Sequence, residues 1–144
     1  MYTGFLHLHD TLRWLVLISL VVTLAKYLVG WFGKKAWTKT DNILGIVFVS
    51  LMDLQILVGL ILYFFLSPIT KMAFSDFGAA MKDTGLRFYA VEHISMMLVA
   101  LALMHIGRVK SKRGKTDLKK FKGAAIFYLI ALVVICLAIP WSRG

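Results

Sequence analysis

The chain has 144 residues, of which 60% are hydrophobic, with a mean hydropathy of +0.80 and a net charge of +10. An ordinary soluble domain is roughly 45–50% apolar, so this composition excludes a soluble globular enzyme and points to the lipid bilayer. The one cysteine, Cys136, cannot form an internal disulfide and reads as a small core residue.

An α-helix needs about 20 apolar residues to cross ~30 Å of hydrocarbon. Four stretches meet that length, at 5–31, 43–66, 86–106 and 123–141. The first holds His9 and Arg13 and ends near Gly30 and Gly33. Residues 1–10 contain no Lys or Arg, and the run exceeds a signal-peptide core, so it reads as a retained span. The connection after it carries Lys34, Lys35 and Lys39. The second span, with Thr40 or Asp41 as cap, holds Asp53 and stops at Ser67-Pro68.

Residues 69–82 mix Met72, Phe74, Phe77 and Met81 with polar groups, the pattern of a short surface helix or of a plain loop. The third span, capped by Asp83 or Thr84, holds Glu92, His93 and His105. Arg108, Lys110, Lys112, Arg113, Lys115, Lys119, Lys120 and Lys122 follow, with Asp117 alone against them. The fourth span, capped by Thr116 or Asp117, closes at Pro140 and Trp141.

Short connections make sequential spans antiparallel, which predicts an all-α, up-down-up-down four-helix membrane bundle with no separate soluble domain. The first and third connections, both rich in Lys and Arg, lie on one side of such a bundle. The positive-inside rule makes that side cytoplasmic and sends both termini outward. The basic run also suits anionic lipid heads. Phe121 is its one stacking group, so nucleic acid is not expected.

Function must lie in the few ionisable groups inside the spans. Each costs about 2.5–3.5 kcal/mol or more at a bilayer centre unless it is paired or put to use. His9 and His93 fall in the outer half of parallel spans and form the candidate ligand pair for a b-type haem. A rise of ~1.5 Å per residue sets their depths some 5–7 Å apart, an offset that helix tilt of ~20° reduces.

Arg13 shares a face with His9 at i,i+4, as Tyr89 and Met97 do with His93. Arg13, Arg87, Tyr89 and Lys71 are candidate partners for haem propionates, and Gly59 and Ala90 would leave room for a flat ring. Arg13, Asp53 and Glu92 also read as a buried polar network that locks helices together. A second reading is therefore a non-enzymatic membrane subunit with a structural polar network. A third is a copper- or proton-handling protein using His7, His9, Glu92 and His93, which requires an extended N-terminus for His7 and His9 to point the same way. His105, at the predicted inner end of its span, reads as an interfacial residue.

The runs GFLHLHDTLRW, LQILVGLILYF, LRFYAVEHISMM, HIGR and the closing IPW resemble a family of small bacterial four-span membrane proteins labelled cytochrome b-like. The resemblance covers nearly the whole chain. It implies haem b and electron transfer at the bacterial cytoplasmic membrane, and carried onto this sequence it points to His9 and His93. Larger cytochromes b differ in carrying more histidine pairs across more helices. The leading expectation is a haem-b protein that passes electrons to or from quinone or a partner protein. A homo-oligomer sharing its haem across subunits would have the same sequence pattern.

Overall fold

A computed structural model describes residues 2–66 and 68–139 of the chain. They are helical with no strand among them. Seven α-helices run in order: α1 (Tyr2–Phe32), α2 (Lys39–Ile61), α3 (Pro68–Ser75), α4 (Phe77–Lys82), α5 (Thr84–Arg87), α6 (His93–Arg113) and α7 (Asp117–Ala138). π-helical turns at Leu62–Leu66 and Phe88–Glu92 extend α2 and lead into α6. Four helical stretches are long and apolar enough to span a membrane: Tyr2–Phe32, Lys39–Phe65, His93–Arg113 and Asp117–Ala138.

The helix ends follow local chemistry. Thr38, rather than Thr40 or Asp41, caps α2. Its side chain accepts from the Asp41 backbone while the Asp41 carboxylate accepts from the Thr38 N–H, so two orphan donors of the first turn are satisfied reciprocally. Thr116 caps α7, and the Asp83 carboxylate accepts from the Gly85 N–H as the chain enters α5. Segment 69–82 is helical, split between α3 and α4. Pro68 begins α3, a position that needs no N–H. Ser67, Pro140 and Trp141 lie outside the described residues.

The largest departure from the predicted spans is in α6, which runs past His105 and Gly107 to Arg113. Gly107 does not end the helix, because α7 packs too closely there for a side chain. An added Cβ would meet the Tyr128 ring at 2.7 Å. Lys110, Lys112 and Arg113 occupy the last turn, where the helix dipole favours cations. α1 likewise runs through Gly30 to Phe32. It ends in a turn with Lys34 at φ 51°, where the Lys35 N–H bonds back to the Gly30 carbonyl.

The core is a column of Val16, Leu20, Leu24, Phe48, Met52, Met104 and Ile135 with a stripe of alanines from α7. Those small side chains let helices approach closely where lipid supplies no hydrophobic drive. α6 packs along α7, and α1 packs on both α2 and α7. The α2–α6 pairing is the sparsest of the four.

Candidate functional site

The contacts that build the site come from one end of the bundle. α1 crosses α2 where the Gln55 side-chain amide donates to the His9 carbonyl oxygen at 2.8 Å. Gly59, one turn later, carries no side chain. A Cβ there would lie 3.3 Å from the His9 ring, so the space above Gly59 holds the imidazole itself rather than a flat cofactor. On the far side, His93 opens α6 immediately after the π-helical turn. Its Nδ1 lies 2.7 Å from the Ala138 carbonyl oxygen of α7. A carbonyl only accepts, so Nδ1 carries the proton and Nε2 keeps its lone pair.

Between these helices lies a cavity of about 300 Å³, with His9, Arg13, Gln55, His93 and Met97 in its wall. That is the lower end of the ~300–1,000 Å³ range of small-molecule and cofactor sites. The two imidazoles are neighbours in edge-on contact, with ring centres 6.4 Å apart and planes at 83°. The depth offset expected from the sequence does not separate them.

Four buried side-chain polar atoms lack a hydrogen-bond partner among the described residues: His9 Nδ1, Arg13 Nε, Gln55 Oε1 and Tyr128 Oη. The first three belong to residues of this cavity. An unmet buried polar group costs about 1–3 kcal/mol, and folded proteins keep few of them. The His9 ring and the Gln55 side chain lie close enough to satisfy each other, which leaves Arg13 Nε as the polar atom at the cavity that no neighbour meets. The Arg13 guanidinium also lies over the Trp14 ring, 5.0 Å from its centre.

Other expected partners are engaged elsewhere. The Arg13–Asp53–Glu92 network does not form, because each carboxylate has a different neighbour. Glu92 Oε1 accepts from Arg87 Nε at 2.7 Å, and Asp53 Oδ1 lies 2.9 Å from His105 Nε2. Arg87 is thereby drawn to a carboxylate rather than left for a propionate. The five-residue spacing of Arg87 and Glu92 brackets the π-helical turn, whose wider winding suits i,i+5 contacts. The side chains of Tyr89 and Ala90 lie outside the described residues.

His7, His9, Glu92 and His93 are not brought together. The N-terminus is helical from Tyr2, which turns His7 about 200° from His9 and leaves it exposed. Among the described residues no three His, Cys, Asp or Glu side chains converge in a metal-binding group. His105 is not terminal. It lies 12 residues into α6, opposite Asp53. The sequence reading missed this pair, and only the relative register of α2 and α6 reveals it.

His9 and His93 are the two histidines at the cavity that could ligate a metal. Metal-binding histidines commonly donate their second N–H to a backbone carbonyl, as His93 does to Ala138. The cavity wall is mostly apolar, with Arg13 and Asp10 as its charged groups.

No family model matches this chain. No curated protein and no solved structure matches it either.

Proposed function

We propose that this protein is a membrane-embedded haem-b carrier, in which His9 and His93 would hold the haem, and that it exchanges electrons with quinone or a partner protein. The observation that carries the reading is the neighbouring imidazole pair, 6.4 Å apart, with the His93 tautomer fixed by the Ala138 carbonyl. The unmet Arg13 Nε at the same cavity supports it. Bound haem would supply a one-electron couple, which needs no nucleophile or general base from the protein.

The chain's own residues divide the remaining work. Ala138 orients the His93 ring. Gln55 holds α1 on α2 at His9, so the first imidazole is positioned by two helices. Arg13 offers a cation beside the cavity for a carboxylate group of the cofactor. Val16, Leu17, Ile94 and Ile135 keep that wall apolar and water out.

The setting belongs to the same proposal. The four spans run up and down through a bacterial cytoplasmic membrane, with Lys34, Lys35 and the basic connection before α7 on the cytoplasmic side. Both termini and the cavity then face outward.

The test is spectroscopic. Protein purified from haem-replete cells should show a Soret band that shifts on dithionite reduction. His9→Ala and His93→Ala should each lose that band while keeping the helical circular-dichroism signal. A colourless wild-type preparation, or full colour in both variants, would overturn the proposal.

A further inference from the structure

The Asp53–His105 pair lies apart from the cavity and has no task in the haem reading. Asp53 is 14 residues into α2 and His105 is 12 residues into α6, so both fall in the interior of spanning helices. Neither is buried. Their side chains are 46% and 49% exposed, and the exposed residues beside them are Leu54 and Leu57 on α2 and Ile106 and Val109 on α6. In a membrane that exposure is to hydrocarbon, a poor solvent for a carboxyl group.

The pair nonetheless presents a hydrogen-bonding surface to the lipid. Asp53 Oδ1 and His105 Nε2 satisfy each other at 2.9 Å, which leaves Asp53 Oδ2 and His105 Nδ1 without a partner among the described residues. Carboxyl and imidazole groups each donate or accept according to where one proton sits. The surface therefore serves a ligand carbonyl and a ligand hydroxyl equally. α2 and α6 pair sparsely, so this polar pair meets at the lipid-facing seam between them. Toward the basic end of the bundle the two helices are tied by Arg108 Nη2 donating to Asn42 Oδ1 at 2.9 Å.

We infer that the lipid-facing seam between α2 and α6 is the binding site for a quinone headgroup in the bilayer, held by Asp53 and His105. The occupant must dissolve in lipid, reach mid-membrane depth, and bear an oxygen that is a carbonyl in one state and a hydroxyl in the other. Quinone and quinol meet all three conditions. This inference rests on the electron-carrier reading for its purpose, but the binding itself does not require haem.

The experiment uses the full chain in lipid nanodiscs with a short-chain benzoquinone and infrared difference spectroscopy of its carbonyl stretch. The wild type should move that band to lower frequency, as hydrogen bonding to a carbonyl does. His105→Leu and Asp53→Leu should each leave it where it stands in protein-free nanodiscs and weaken binding at least tenfold. Circular dichroism shows whether the variants fold, independently of haem. His9→Ala and His93→Ala should keep the quinone shift, so failure of the haem reading and failure of this one are separable. An unshifted wild-type band would overturn the inference. So would wild-type behaviour in both folded Leu variants, or variants that turn a dimeric wild type monomeric while the quinone shift persists, since the pair would then serve a subunit interface.

Discussion

The two ends of this bundle treat their polar groups in opposite ways. At the end nearest the basic connections, the Asp41 carboxylate is fully buried and accepts from Lys26 Nζ, the Thr38 N–H and the Thr38 hydroxyl at 2.7–2.9 Å. Tyr27 donates its hydroxyl to the Asp41 carbonyl, and Arg108 reaches Asn42 and Ser111. The rings of Tyr27, Trp37, Phe121, Tyr128 and Phe48 pack around these groups with neighbouring centres 4.9–6.0 Å apart. Tyr128 Oη is the one unmet buried side-chain atom recorded there. At the cavity end, Arg13 Nε lies unmet beside an open volume. One end holds the helices together. The other places a few polar groups around a mostly apolar cavity.

That contrast breaks if substitutions at the two ends have the same consequences. The largest effect on stability is expected at Asp41, because Asp41→Ala leaves Lys26 and the first turn of α2 without their acceptor. A loss of about 1–2 kcal/mol is expected, mainly from the lost capping bonds, because Lys26 is itself 40% exposed. Detergent unfolding measures it, and the Soret band per folded molecule should be unchanged.

Gln55→Leu sharpens the other side. It removes the bond to the His9 carbonyl, so stability should fall by about 1 kcal/mol. The redox midpoint should move as well, because His9 loses its tie to α2. Lys34→Gly, at the left-handed residue that ends α1, should stabilise by about 1 kcal/mol and leave the spectrum untouched.

The four helices were legible because apolar runs of bilayer length carry their own signal. Their ends were less so. Thr38 caps α2 only through its reciprocal bonds with Asp41, and α6 outlasts Gly107 because α7 covers that glycine. The meeting of His9 and His93 was foreseeable from the scarcity of histidines in parallel spans, though helical rise alone kept them apart. The ion pairs were not foreseeable. Arg87 meets Glu92 around a π-helical turn that no residue preference announces. His105 meets Asp53 through a register that helical periodicity leaves free.

The most direct test of the haem assignment uses the ring geometry itself. The His9 and His93 planes stand at 83°, close to perpendicular. If these two rings hold the haem of the proposal, low-temperature electron paramagnetic resonance of the oxidised protein should give a low-spin ferric signal with large anisotropy, and lose it in His9→Ala and His93→Ala. A high-spin signal, or a low-spin signal that survives in either variant, would contradict the assignment.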